Sequence, residues 1–219
     1  MRVAIAGAGN VGRSIAAELI DNGHQVMLIE RVPKMLRPER VPQAEWVLAD
    51  ACEVASLQMA RLETCDVVVA STGDDKVNLV VSLLAKTEYG VPRVVARVNH
   101  PGNEWLYNES WGVDVAVSTP RLLSALVEEA VSVGDLVKLM TFGHSEASLV
   151  ELTMPADAPL AGKQVGAISW PADAALVAIL REGRVLVPQP EDPLQAGDEL
   201  FFVTTEDVEG ELARLFDAH

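Results

Sequence analysis

The sequence predicts an α/β chain, with a doubly wound parallel sheet first and a small α+β domain after it. Three observations predict this. Over the first 133 residues, short β-branched apolar runs alternate with helix-length spacers, the pattern of parallel strands covered on both faces. A glycine-rich turn, Gly7-Ala8-Gly9-Asn10-Val11-Gly12, joins the first run to the first helical stretch. From about residue 135 the spacers vanish, and strand follows strand with turn residues between them. The expected domains are therefore 1–134 and 135–219.

Taken in order, strands are expected at 2–6, 25–29, 46–49, 66–70, 93–97 and 113–117, where valine, isoleucine and leucine cluster. Helices are expected at 11–22, 53–62, 75–89 and 101–111. A further helix should span 118–134. Thr119 can cap it, Pro120 suits its first turn, and Leu122, Leu123, Leu126, Val127 and Ala130 make one apolar stripe. No further strand–helix unit follows, so this stripe must pack on its own sheet, on the second domain or on another subunit. In the second domain LVKLMTF, SLVELTM, ALVAILREGRVLVP and DELFFVTT read as strands, with turns at Glu182-Gly183 and Gly197-Asp198. Six of the chain's 12 prolines fall between 155 and 193, and VEGELARLF closes the chain as a helix.

Composition excludes more than it identifies. The net charge of −15, from 32 acidic against 17 basic residues, opposes binding to nucleic acid or to anionic lipid heads. No apolar run approaches the roughly 20 residues of a membrane span, and Gly7, Gly9 and Gly12 interrupt any signal-peptide core, so a cytoplasmic chain is expected. Cys52 and Cys65 are too few for a disulfide framework and read as reduced, semi-buried residues.

The glycine turn follows an apolar strand, opens a helix, and precedes a second strand that ends at Glu30. This context predicts an adenine nucleotide or dinucleotide site. Gly7 permits the turn, Gly9 lets backbone approach a phosphate, and Gly12 allows close helix–strand packing. Glu30 is placed for ribose hydroxyls and would repel a 2′-phosphate, whereas Arg31 beside it could accept one. NAD(H), ATP, ADP and AMP all have the required hydroxyls.

A dehydrogenase needs more, namely an acid or base and substrate-orienting charges from a second domain. After position 135 the only histidines are His144 and His219, and no nucleophile elbow or HExxH motif occurs. His24 sits in a turn, and His100, after the fifth strand, reads as a surface or capping residue. Asp74 and Asp75 read as a helix beginning and a solvent face. The machinery for chemistry is missing, which favours a nucleotide that is sensed over one that reacts.

These residues together resemble the TrkA/KtrA family, regulatory subunits of bacterial potassium uptake built from RCK domains. The resemblance runs through AGAGNVGRS, LIER, LADACEVASLQMARLETCDVVVAS, STGDDKVNLVVSLLAK and VARVNHP. It continues in APLAGKQVGAI and in ALVAILREGRVLVPQPEDPLQAGDELFFV. It implies a Rossmann-like RCK-N domain followed by an RCK-C module, and no enzyme activity. By position it implies that Gly7 to Gly12 line phosphates, that Glu30 binds ribose, and that Asp50 and Ala51 lie by the adenine. Thr72, Gly73 and Arg97 would face the dinucleotide bridge. ATP-selective relatives carry an arginine where Asn10 stands; here Arg13 follows the third glycine, which raises NAD(H) as the ligand. Arg121 replaces a glutamate of some relatives, so no cation site is expected. The implied partners are a membrane potassium-transporting pore subunit of TrkH/KtrB type and further copies of this chain, in a dimer or larger ring. A second small ligand on the C-terminal module is a further implication. The competing readings are an NAD-dependent oxidoreductase and a stand-alone ligand sensor.

Overall fold

A computed structural model describes residues 1–131, 133–142 and 147–217, without the side chains of 129 and 130. The side chain of Ala130, and His144 and His219, thus lie outside the described residues. The chain divides into two compact units, Met1–Pro120 and Arg121–His219. The division falls at the head of the long helix after the last parallel strand, whereas the sequence reading carried that helix with the first domain.

The first unit comprises β1 (Arg2–Ala6), α1 (Asn10–Asp21), β2 (Gln25–Glu30), β3 (Glu45–Leu48), α2 (Val54–Met59), β4 (Val67–Ala70), α3 (Asp75–Thr87), β5 (Arg93–Val98) and β6 (Val115–Ser118). Its sheet has the order β3-β2-β1-β4-β5-β6, and every pairing is parallel. The period-two alternation of side chains sends Val3, Ile5 and Leu28 to one face, where Ala16 of α1 packs. It sends Ala4, Ala6, Met27 and Ile29 to the other, against Leu57 of α2 and Leu79 of α3. From β1 the chain winds outward on one side and returns to wind outward on the other. The carboxyl ends of β1 and β4 therefore flank the point where the order reverses, which is where α/β sheets open a crevice.

Three stretches differ from expectation. Residues 101–111 form two short 3-10 turns, Pro101–Leu106 and Glu109–Trp111, in place of one α-helix. Tertiary bonds override the helical pattern there: the Asp75 carboxylate accepts from the backbone of Asn99 and His100 and from the side chains of Asn103 and Tyr107. Helix α2 is cut to six residues, the chain leaving it through Arg61 at φ 54°. Two further 3-10 turns, Pro33–Met35 and Pro38–Arg40, each start at a proline after β2, and nothing in the apolar periodicity marks them.

The second unit holds α4 (Thr119–Val131, its first two residues in the first unit), β7 (Val137–Thr141), β8 (Ala147–Thr153), β9 (Ala174–Arg181), β10 (Arg184–Leu186), β11 (Glu199–Thr205) and α5 (Glu206–Arg214). Its antiparallel sheet runs β10-β9-β11-β8-β7. Glu182 and Gly183 both take positive φ, 50° and 74°, as a two-residue hairpin turn requires. The core gathers Val150, Leu152, Ile179 and Leu200, with Phe202, Phe216 and Trp170 in mutual ring contact. Buried Asp198 receives Arg181 through two bonds, Nε to Oδ1 and Nη2 to Oδ2, both 2.7 Å. This bidentate pair ties the end of β9 to the residue that leads into β11. Among the described residues no helix is long and apolar enough to cross a membrane.

Candidate functional site

A crevice of about 520 Å³ opens at the carboxyl ends of β1, β2 and β4. Its walls include Gly7, Gly9, Asn10, Val11, Glu30, Arg31, Asp50, Ala51, Thr72, Gly73 and Arg97. Of the residues singled out in the sequence, Ala8 and Gly12 are the two that do not reach it. Ala8 is fully buried in the core under α1. Gly12 packs beneath the turn, where a Cβ would sit 1.9 Å from the Gly7 carbonyl oxygen.

The three glycines thus separate by role. Gly7 takes φ 99° and lies against Thr72, so turn geometry and space both demand it. Gly12 is demanded by helix–turn contact. A Cβ on Gly9 would meet no protein atom within 4 Å, although Gly9 lines the crevice, so packing does not explain this glycine. Helix α1 begins just after it with no side-chain cap and no acidic residue in its first turn. Its first amides and the positive end of its dipole are therefore free for an anion.

Across the crevice, Glu30 ends β2. Its Oε2 accepts from the Ala8 amide at 3.0 Å and its Oε1 from the Val32 amide at 2.9 Å, which aims the carboxylate beside the glycine turn. Arg31 Nη1 stands 3.8 Å from Asp50 Oδ2, while Asp50 Oδ1 accepts from the Cys52 amide at 2.9 Å. Asp50 therefore shapes the turn into α2 and pairs with Arg31 at the same time. Burial first, then the Asp50 charge, raises the Cys52 thiol above its ordinary range. The Arg97 Nε is buried without a hydrogen-bond partner, although Arg97 lines the crevice. Arg97 and the uncapped start of α1 thus line the same crevice, an arrangement that fits an anionic ligand.

Several contributors were missed in the sequence. Ile29, Met35 and Val77 supply apolar wall, and Ser71 and Asp74 supply polar edge. Asp74 caps α3 by accepting from the Lys76 amide at 2.9 Å, as its place before the helix suggested. Asn78, fully buried one turn into α3, binds the backbone of both Thr72 and Arg97. Asp75 is no solvent-face residue: it is 8 % exposed and holds the loop after β5. Burial alone would raise its pKa, but hydrogen bonds from Asn103, Asn99 and Tyr107 outweigh that and hold it down at about 2. Burial and the Asp75 carboxylate together push the Tyr107 hydroxyl up. His100 is exposed and its Nδ1 accepts from the Gly102 amide, a capping role.

Fold and crevice together define a two-part protein, a Rossmann-type unit with an open glycine-turn site followed by a small antiparallel α+β unit. Residues 3–119 match the TrkA-N domain and 149–217 the TrkA-C domain. The chain belongs to the TrkA family of Trk-system potassium uptake proteins. It is 60% identical over 215 residues to the Trk system potassium uptake protein TrkA of Mycobacterium tuberculosis, covering 98% of each chain. It is 30% identical over 217 residues to a TrkA homolog of Methanothermobacter thermautotrophicus, covering 99% of each. Among solved structures, the GsuK channel bound to NAD aligns with a TM-score of 0.71 at 18% identity, over 99% of this chain and 39% of that one.

Proposed function

We propose that the chain is a nucleotide-sensing regulatory subunit of a bacterial Trk-type potassium uptake system, taking NAD(H) or an adenine nucleotide in the crevice. The observation that carries this reading is the meeting of an uncapped α1 start and the Glu30 carboxylate in one crevice. The amides after Gly9 would hold the phosphates and Glu30 the ribose hydroxyls. Asp50 and Ala51 would lie by the adenine, and Thr72, Gly73 and Arg97 would face the phosphate bridge. GsuK structures described as bound to NAD and to ADP support the same ligand class. An oxidoreductase is not favoured, because the relatives are named for potassium uptake.

Bound nucleotide acts as a signal. It shifts a population between two arrangements of paired subunits and so biases a pore in a membrane partner of TrkH/KtrB type, at the cytoplasmic face. A tenfold preference supplies only about 1.4 kcal/mol per site, so several sites must add. Further copies are therefore part of the reading, and the exposed stripe of Leu122, Leu123, Leu126 and Val127 on α4 supports them. Calorimetric titration with NAD+, NADH, ATP, ADP and AMP tests the proposal. One nucleotide binding the parent chain but not a Gly9→Ala variant supports it. Failure of every nucleotide to bind the parent refutes it.

A further inference from the structure

A second hollow, of about 460 Å³, lies outside the crevice and shares Asn10 with it. Asn10, Arg13, Ser14 and Ala17 reach it from one face of α1, being spaced i, i+3, i+4 and i+7. Arg40, the last residue of the 3-10 turn Pro38–Arg40, and Arg37, just before that turn, reach it from the segment after β2. Three guanidinium groups thus converge on one concave surface in a chain of net charge −15. The Arg13 guanidinium is steadied by the Ala8 carbonyl and by Asn10 Oδ1 at 2.7 Å, both neutral acceptors. No carboxylate pairs with Arg13, Arg37 or Arg40 among the described residues, and Glu39, between two of them, does not line the hollow. Like charges gathered without counter-charge repel one another, and a multivalent anion relieves that repulsion.

We propose that Arg13, Arg37 and Arg40 form a phosphoryl-binding subsite beside the crevice, entered past Asn10. The phosphoryl group comes from one of two sources: the terminal phosphate of a nucleotide seated in the crevice, or a separate polyphosphate. For the first source the subsite rests on the nucleotide reading above; for the second it does not. Guanidinium forks suit phosphate oxygens, and each charge-assisted bond is worth more than a neutral one.

The test is calorimetric titration of the full chain and of the double variant Arg37→Ala/Arg40→Ala with AMP, ADP, ATP, NAD+ and tripolyphosphate, at one salt concentration. Neither substituted side chain makes a hydrogen bond or ion pair among the described residues, so the fold should be unaffected, and circular dichroism checks this. A nucleotide-borne phosphate predicts that the variant loses about tenfold in ATP affinity while AMP and NAD+ are unchanged. Loss for tripolyphosphate alone, with ATP unchanged, supports the subsite and assigns it to a separate anion. Tripolyphosphate binding that falls in the variant, in a chain that binds no nucleotide, supports the subsite while the nucleotide reading fails. Equal affinities of parent and variant for ATP and tripolyphosphate overturn the proposal, as does a parent that binds neither.

Discussion

The side chain of Asn78 clasps Thr72 at three points. Its Oδ1 accepts from the Thr72 amide at 2.9 Å and from the Thr72 hydroxyl at 2.6 Å, and its Nδ2 donates to the Thr72 carbonyl at 3.2 Å. The same Nδ2 donates to the Arg97 carbonyl at 2.8 Å, so one buried amide sets the ends of β4 and β5 where both enter the crevice. Asn78→Ala takes the acceptor from the Thr72 amide and a donor from the Arg97 carbonyl, while the Thr72 carbonyl keeps Asn99 Nδ2 at 3.0 Å, and should cost about 2 kcal/mol of stability. Asn78→Asp keeps the acceptor oxygen and loses the donor. It should fold less stably than the parent and bind nucleotide more weakly, by about tenfold, since Thr72 and Arg97 lose a shared anchor. Urea unfolding followed by titration of the folded variant separates the two effects.

Gly9 and Gly12 should respond oppositely to the same change. Gly12→Ala drives a methyl into the Gly7 carbonyl oxygen and should destabilise the fold by about 3 kcal/mol or prevent it. Gly9→Ala meets open space and should stay within about 1 kcal/mol of the parent in stability. Its methyl would instead obstruct a phosphate, so nucleotide affinity should fall at least about tenfold. Thermal melts and calorimetry on the pair settle the matter. A Gly9 variant that binds like the parent removes the phosphate role from that residue.

Glu30 serves two ends at once, steadying the glycine turn through the Ala8 amide and facing the space where ribose would lie. Glu30→Gln keeps one acceptor oxygen but loses the charge. Affinity for NAD+ should fall by about tenfold. NADP+ should fall less, because the carboxylate that repels a 2′-phosphate is gone, while Arg31 remains engaged with Asp50. The ratio of the two affinities is the informative measurement. A ratio unchanged by the substitution would sink the ribose assignment.

Asp75 makes acid stability a readout of the loop after β5. Its folded pKa of about 2 lies below the unfolded value near 3.9, so its contribution is fully present above pH ~4. The contribution is lost as the pH falls through about 2. Its size is about 2 kcal/mol, for a group that is 8 % exposed. Asp75→Asn puts an NH2 donor where a carboxylate oxygen accepted from Asn99, His100 or Asn103, so donor faces donor, and should cost about 3 kcal/mol at neutral pH. It should also flatten the decline in urea midpoint between pH 4 and 2. A decline as steep in the variant as in the parent would refute the assignment.

The first unit's strands were legible because parallel strands, buried on both faces, leave unbroken runs such as VVVA and VAIA. The crevice was legible because Gly7, Gly9 and Glu30, which line it, all belong to one strand–turn–helix–strand unit. What escaped was polar and long-range. Asn78 and Asp75 look from sequence like ordinary residues of a helix start, and the partners that decide their roles, Arg97 for Asn78 and Asn99, Asn103 and Tyr107 for Asp75, lie 19 to 32 residues away. The same bonds explain why 101–111 forms turns: Asn103 and Tyr107 are spent on Asp75 instead of on a regular helix. Met35 and the arginines at 37 and 40 lie in a proline-broken segment with no apolar period, so no pattern announced which way they face.

The stripe on α4 bears on assembly. Leu122, Leu123, Leu126 and Val127 stand exposed along one face, an unusual outlay of apolar surface for a helix whose Ala125 is buried. In a homo-oligomer such a face pairs with its own copy, since a two-fold contact is self-complementary. Leu123→Glu/Leu126→Glu places like charges opposite one another across that contact while adding polar groups where side chains already meet water. The monomer fold should survive with little loss of stability, and sedimentation should report a smaller particle than the parent forms at the same concentration. Under the proposed function, in which nucleotide acts on paired subunits, the variant should also bind nucleotide without the concentration dependence that pairing imposes. A variant of unchanged particle size would assign assembly to another surface.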